Sequence, residues 1–217
     1  ITGGTTRLDL TLLDPTTNSV GLGMANSVGD LEAFCNPAPL QIGNYVWNDQ
    51  NRDGIQDACE DPLPDVLVSL YNAVTGNLLA TTVTGQDGEY YFTGIGRPGE
   101  NWIATSGFDS IQADTDYRIV FGKNATTSQF NTTTGKLTVA GVDYELTVAN
   151  TGAGRRPDWN DSDAQIADAA GKAWDRYPTI AYRTKGEGAT DHTLDAGFIS
   201  DRDGDLDLFL VNYVRWD

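Results

Sequence analysis

The sequence has little of what thiolate metal sites and most active sites require. Its 217 residues include two cysteines, one histidine and one methionine. A structural zinc site takes about four cysteine or histidine ligands, so zinc is disfavoured. No apolar run approaches the ~18 residues that cross a bilayer, and no basic and apolar leader opens the chain. We expect no membrane insertion by this chain, and Ile1 indicates a processed chain or a fragment of a longer protein.

Positive charge is also scarce. The chain has 14 lysines and arginines against 31 aspartates and glutamates, which gives a formal net charge of −17. A negative field of this size repels phosphate backbones, so nucleic acid is excluded as an expected partner. It suits a soluble chain that binds cations. The hydrophobic fraction of 39% is large enough for a folded core.

Patterns of strand and turn dominate the chain. Short runs of Thr, Val, Tyr and Ile end at Gly, Asn or Asp, which is typical of an all-β sandwich or barrel. An alanine-rich stretch at 163–174 is the one helical candidate, and we expect strand context to override it. The predicted strands are 6–13, 42–47, 66–71, 78–84, 89–92, 117–122, 136–140, 144–149, 179–183, 193–199 and 208–214.

Three zones follow from this pattern. Residues 1–41 form an N-terminal extension with one strand, residues 42–199 form the body, and residues 200–217 form an Asp-rich loop followed by an apolar strand. Both terminal strands need a partner, because their apolar side chains would otherwise face water. They either fold back onto the body or add to an open sheet edge of the next copy. Donation of this kind joins copies head to tail and gives a filament.

The strongest chemical signal is the twelve-residue segment from Asp49 to Glu60. It follows the pattern of a calcium loop, with Gly54 at the sixth place and a glutamate at the twelfth. A hard cation takes ~6–8 oxygen ligands, and alternate residues of a tightly wound loop point toward one centre. Strands flank the segment in place of helices, which favours a structural ion over a regulatory switch. The predicted calcium ligands are Asp49, Asn51, Asp53, Ile55 through its carbonyl, Asp57 and Glu60.

Two further acidic clusters are weaker candidates. The first has carboxylates on alternate residues around Gly204 and lacks a glutamate at the twelfth place; its members are Asp201, Asp203, Asp205 and Asp207. The second is drawn from two distant segments and consists of Asp158, Asp161, Asp163 and Asp195. The first cluster is either a second ion site or an acidic turn, and the second cluster is either a further ion site or a helix cap with solvated acids.

Segments of the body resemble one known family in the same order. Ile42–Asp49 with the following loop, Pro62–Tyr71, Thr84–Phe92, Asn160–Ala164 and Asp191–Phe198 are similar to the SdrD B-like domain of bacterial surface proteins. The resemblance covers residues 42–198. It implies a Greek-key, prealbumin- or immunoglobulin-like β-sandwich that calcium makes rigid and that serves as a stalk or spacer in cell-surface adhesins. Cys59 departs from the family, which commonly has glycine there, and the stretch between residues 94 and 158 is longer than usual.

Covalent modifications suit an extracellular location. Cys35 and Cys59 would allow one disulfide, worth roughly 3 kcal/mol in the chain-entropy model, and the alternative is two free, buried thiols. Three Asn-x-Ser/Thr sequons mark candidate N-glycosylation sites at Asn124, Asn131 and Asn160.

Signals of catalysis are weak. His192 lies alone in a strand pattern, no serine has a nucleophile-elbow context, and no glycine-rich loop joins a strand to a helix. We therefore predict a non-catalytic structural module, a stalk or fibre subunit whose partners are copies of itself or neighbouring domains. The alternative is a carbohydrate- or ligand-binding accessory module that uses tryptophans for stacking, with Trp47 expected in the core and Trp102 as the residue to test.

Overall fold

The computed structural model describes residues 40–93, 102–124, 126, 128–152 and 158–200, all within one compact unit. This part of the chain contains strands and no helix, so the all-β prediction is confirmed. The strands are β1 (Gln41–Asn48), β2 (Leu67–Asn72), β3 (Leu78–Val83), β4 (Glu89–Thr93), β5 (Ile103–Ala104), β6 (Asp116–Phe121), β7 (Ser128–Asn131), β8 (Lys136–Val139), β9 (Val142–Leu146), β10 (Gln165–Ile166), β11 (Pro178–Arg183), β12 (Thr190–Asp191) and β13 (Ala196–Ser200).

The strands form two sheets. The first has the order β12-β1-β13-β9-β8-β7, and β4 also pairs with β1. Within it, β1 is antiparallel to β4 but parallel to β12 and β13. The second sheet has the order β10-β11-β6-β2-β3-β5, and all of its pairs are antiparallel. The body is therefore a β-sandwich.

Alternation of side chains along the strands builds the core between the two sheets. In β6, Tyr117, Ile119 and Phe121 are buried in the main hydrophobic cluster, whereas Arg118 points to the opposite face. From the first sheet, Tyr90 and Phe198 contribute large rings, and each packs edge-on against Phe121. The Tyr90 hydroxyl donates to the carbonyl of Leu194 at 2.6 Å, so this buried polar atom is satisfied.

A second, smaller cluster covers the outer face of the β2–β6–β11 sheet. Tyr71 and Val120 point outward from this sheet, and Trp174 packs over them. The loop that carries Trp174 is closed by hydrogen bonds between Ala167 and Tyr177 and between Arg176 and Ala167. Residues 170–174 form turns and bends and Gln165–Ile166 form strand β10, so a helix at 163–174 is not formed.

Most predicted strands in the described ranges agree with the structure to within about two residues. The sequence pattern missed the short strands β5, β7, β10 and β12. The strand predicted at 193–199 begins later, at Ala196, because the Asp195 side chain turns toward the backbone of Tyr45. The terminal strands predicted at 6–13 and 208–214 lie outside the described residues.

Candidate metal site

The predicted calcium loop leaves the end of β1 and returns to it. Its base is closed by a hydrogen bond from the backbone N–H of Asn48 to the carbonyl of Asp61 at 2.9 Å. The N–H of Asp49 donates to the carbonyl of Phe198 at 2.8 Å, which attaches the loop to β13 as well. An ion held in the loop would therefore be tied directly to two parallel strands of the first sheet.

Asp49, the first predicted ligand, is fully buried at 0% exposure. One of its carboxylate oxygens accepts a hydrogen bond from the N–H of Arg52 at 2.8 Å, and the other accepts from the N–H of Gly54 at 2.9 Å. The hydroxyl of Thr147 also donates to this second oxygen. These donors hold the buried carboxylate in one orientation inside the turn.

The remaining side-chain ligands lie on the exposed rim of the loop. The Asn51 amide nitrogen donates to Asp53 Oδ2 at 3.1 Å and to Asp57 Oδ2 at 2.9 Å, so three predicted ligands are in direct contact. Glu60 closes the loop, since its two oxygens accept from the N–H groups of Gln50 at 2.8 Å and Asp57 at 3.0 Å. Burial raises the pKa of Glu60 above its usual range.

Gly54 provides the turn that the pattern requires. Its φ is +78°, and a Cβ at this position would lie 2.5 Å from the Val148 carbonyl oxygen. The side chain of the next residue, Ile55, is half-buried and lies outside the core clusters. Its backbone instead forms an antiparallel bridge with Asp161.

The ligand types in the loop fit a hard cation. Four carboxylates, one amide oxygen and one backbone carbonyl are the donors that calcium prefers. The composition of the site therefore fits calcium. In the described ranges, however, no group of three or more His, Cys, Asp or Glu side chains has an arrangement that would hold a metal ion. Several of the loop oxygens accept hydrogen bonds from backbone N–H groups, so these ligands would have to reorient to bind an ion.

The acidic cluster drawn from two distant segments comes together in the fold. The N–H of Asp163 donates to the Asp195 carbonyl at 2.8 Å, and the N–H of Asp195 donates to Asp163 Oδ2 at 2.9 Å. Asp161 and Asp195 are 3% and 0% exposed. Each has one buried carboxylate oxygen without a hydrogen-bond partner among the described residues, namely Asp161 Oδ1 and Asp195 Oδ2. Asp158 lies at the edge, where its carboxylate accepts from the Thr193 hydroxyl at 3.3 Å.

Electrostatics at this cluster favour a proton or a cation. Burial and the neighbouring Asp163 raise the pKa of Asp195 to about 8. Burial and the nearby carboxylate of Asp158 raise the pKa of Asp163 to about 7. Like charges in a poorly solvated site cannot all be ionised without compensation, and a cation would supply it.

The 49–60 loop and the acidic cluster are directly connected. The N–H of Ser162 donates to the Gly54 carbonyl at 2.9 Å, and the N–H of Gln56 donates to the Asn160 carbonyl at 2.7 Å. These bonds flank the bridge between Ile55 and Asp161. The 49–60 loop and the segment that carries Asp161 and Asp163 are therefore held together by backbone hydrogen bonds.

An acidic groove of about 570 Å³ lies beside the cluster. It runs between β11 and the segment before β13, and the Tyr182 hydroxyl crosses it to donate to Asp191 Oδ2 at 2.8 Å. One cation, Arg118, also contributes to its wall. The carboxylates that line it are Asp158, Asp163, Asp168 and Asp191.

The other predicted sites have different outcomes. Asp201, Asp203, Asp205, Asp207 and Cys35 lie outside the described residues. Cys59 is exposed and has no disulfide partner among the described residues, and since Cys35 lies outside them the predicted disulfide stays a prediction.

The three sequons differ in accessibility. Asn124 and Asn131 are exposed. Asn160 is exposed too, but Ser162 of its sequon is fully buried at 0% and accepts a hydrogen bond from the N–H of Gly197. Modification at Asn160 would therefore require local unfolding.

The tryptophans do not form a stacking platform in the described part of the chain. Trp47 is buried in the interior, as predicted, and Trp174 is buried in the smaller cluster. Trp102 packs against the main core beside Phe108. Only Trp159, at 55% exposure, presents much of its ring to solvent among these residues, while Trp216 lies outside them.

The Thr147 hydroxyl is a functional group that sequence reasoning missed. Replacing Thr147 with valine keeps the side-chain shape but removes the hydrogen bond to buried Asp49. We expect a loss of about 1.5–3 kcal/mol in the free energy of unfolding and weaker calcium binding. Thr138→Val is the matched control, since its hydroxyl contacts an exposed carboxylate, that of Asp143, at 2.6 Å. Equal losses of unfolding free energy in the two variants, measured by denaturant titration, would contradict this role.

Comparison with known proteins agrees with the geometry. The fold and loop define a β-sandwich module of the kind found in cell-surface proteins. A family model for the SdrD B-like domain matches residues 40–198. The chain belongs to this family, which is one of structural domains and not an enzyme family. The described ranges include no helix long and apolar enough for a membrane span.

Individual relatives match shorter segments. Serine-aspartate repeat-containing protein D of Staphylococcus aureus (strain Newman) is 42% identical over 80 residues, 37% of this chain and 6% of that protein. Bone sialoprotein-binding protein of S. aureus (strain MRSA252) is 44% identical over 62 residues, 29% of this chain and 5% of that protein. Colossin-B of Dictyostelium discoideum is 37% identical over 67 residues, 31% of this chain and 2% of that protein. The chain thus spans a small part of the length of these relatives. The prediction that it is a module of a cell-surface protein is confirmed.

Proposed function

We propose that the chain is a non-catalytic, load-bearing stalk or spacer of a bacterial surface protein and that bound calcium makes it rigid. The observation that carries this proposal is the attachment of the 49–60 loop. Asp49, the first ligand of the loop, is buried between β13 and Thr147, and Ile55, the seventh residue of the loop, forms a backbone bridge with Asp161. An ion in the loop would therefore tie together segments that are far apart in the chain, and such ties resist extension.

The first ion would be bound by the loop ligands Asp49, Asn51, Asp53, Ile55, Asp57 and Glu60. A second ion at Asp161, Asp163 and Asp195 is supported by the two buried oxygens that have no partner among the described residues, with Asp158 at its rim, and these carboxylates would also have to reorient to hold it. Three further parts of the proposal rest on the sequence alone. They are an ion site at Asp201, Asp203, Asp205 and Asp207, a disulfide between Cys35 and Cys59, and glycans at Asn124 and Asn131.

The mechanical role is tested by pulling single molecules. Tandem copies of the domain, flanked by a reference domain of known unfolding force, would be stretched in calcium and then in chelator. We expect a higher unfolding force in calcium for this domain and an unchanged force for the reference. Equal forces in both solutions would contradict the load-bearing proposal.

Assembly is a separate part of the proposal. The β-prone segments at 6–13 and 208–214 would be donated between copies or dock on neighbouring domains of the same protein. Electron microscopy of the purified chain tests donation. Filaments with an axial repeat near one domain length are expected, and dispersed particles at all concentrations would contradict it.

A further inference from the structure

A group of cations surrounds Trp174 on the outer face of the β2–β6–β11 sheet. Arg118 lies between Tyr71 of β2 and Ala181 of β11, and its guanidinium is 5.9 Å from the centre of the Trp174 ring. The Lys172 ammonium is 5.7 Å from the same ring. The Lys123 ammonium is 4.6 Å from the ring of Tyr177. We call this surface, made of Arg118, Lys123, Lys172, Trp174 and Tyr177, the Trp174 face.

Among the described residues, no ion pair joins the cations of the Trp174 face to a carboxylate, although the chain is rich in carboxylates. In the described ranges, ion pairs join Lys136, Arg176, Arg183 and Lys185 to acids. None of these pairs includes Arg118, Lys123 or Lys172, and the buried Nε of Arg118 has no hydrogen-bond partner there. In a chain with 31 acidic residues against 14 basic ones, three neighbouring cations that form no ion pair within the described residues are unexpected, although Arg118 also lines the acidic groove.

The aromatic rings hold these cations in place. Trp174 is 2% exposed and packs against Tyr71 at 5.6 Å between ring centres, so it provides a fixed platform. A cation above a ring face is attracted by the ring quadrupole and loses side-chain freedom before any partner arrives. Since that entropy is already lost, the ordering cost of binding an anion is reduced.

We propose that the Trp174 face is a docking surface for a short, extended, carboxylate-rich polypeptide segment. Charge complementarity carries this assignment, because the face is basic in a molecule of net charge −17. A long phosphate polymer would lie mostly over the acidic remainder of the surface and be repelled there. A short acidic segment can contact the three cations, whereas a longer one would reach the carboxylates of the acidic groove that Arg118 also lines. Arginine with aromatic residues is the composition enriched at polypeptide interfaces.

The test is the fluorescence anisotropy of a labelled hexa-aspartate peptide titrated with the domain. We expect saturable binding that weakens as salt is raised to about 0.3 M, since exposed charges are then screened. The double variant Lys123→Gln, Lys172→Gln should weaken binding about tenfold or more. The matched control Lys136→Gln, Lys185→Gln removes two cations that already have acidic partners and should change binding less than about twofold.

Three results would overturn the proposal. They are the absence of saturable binding at low salt, equal weakening in the two double variants, and binding of pyrophosphate with the same lysine dependence but no binding of the peptide. Melting curves of both variants, expected to match that of the parent, separate loss of the docking surface from loss of the fold. Calcium binding by the 49–60 loop is not needed for any of these outcomes.

Discussion

Removal of calcium is expected to lower the melting temperature of this domain by about 5–10 °C. An ion that binds only the native state at about a hundred times its dissociation constant adds about 2.7 kcal/mol to the free energy of unfolding. For a domain of this size, each kcal/mol corresponds to about 2–4 °C. The measurement is scanning calorimetry in millimolar calcium and again in excess chelator.

Asp53→Ala is the variant that links this shift to the loop. Asp53 is exposed, and its carboxylate accepts two local hydrogen bonds, from the N–H of Ile55 at 2.8 Å and from the Asn51 amide at 3.1 Å, so its removal should cost little in chelator. In calcium the variant should lose most of the ion's stabilisation. Asp143→Ala, another exposed aspartate, is the control and should keep the full calcium response. A parent domain whose melting curve is the same in calcium and chelator would contradict the prediction.

Stability in chelator is expected to fall as the pH rises from about 5 to about 8.5. The pKa values of Asp163 and Asp195 are raised in the folded state to about 7 and about 8, from a usual value of 3.8. Folding therefore takes up protons between about pH 4 and pH 8, and the free energy of unfolding decreases as the pH rises through that range. We expect the melting temperature to drop by about 5 °C or more. Saturating calcium should remove most of this dependence, because the cation favours the ionised carboxylates.

The contribution of the buried pair is isolated by Asp195→Asn. The amide keeps an oxygen acceptor for the Tyr45 N–H, which donates to Asp195 Oδ1 at 3.0 Å, but removes the titrating group. The slope of melting temperature against pH in chelator should become shallower. Asp168→Asn, which changes an exposed acid in the neighbouring groove, should leave the slope unchanged. A slope of the opposite sign in the parent would show that the pair is stabilised in its ionised form without a cation.

The loop was predictable from sequence because its ligands are consecutive. Spacing alone places Asp49, Gly54 and Glu60, and the structure gives Gly54 the positive φ that the pattern requires. The strands with alternating patterns, such as β6, were predictable for a similar reason. Strands of two residues, such as β10, have too few side chains for any period to appear.

Long-range contacts were not predictable in the same way. Thr147 is 98 residues from Asp49, and no local pattern marks it as a partner of a buried carboxylate. The approach of Asp163 to Asp195 could be suggested only by resemblance to a family, because it depends on how the closing segments meet. The Trp174 face could not be predicted, because the alanine-rich sequence that carries Trp174 favours a helix. In the structure this segment packs over Tyr71 and Val120 and forms no helix.

The central claim is that the twelve residues from Asp49 to Glu60 bind calcium and thereby stiffen the sandwich. It is tested most directly by a crystal structure determined in millimolar calcium. The account predicts electron density for an ion enclosed by oxygens of Asp49, Asn51, Asp53, Ile55, Asp57 and Glu60. A well-ordered loop without an ion under those conditions would contradict it.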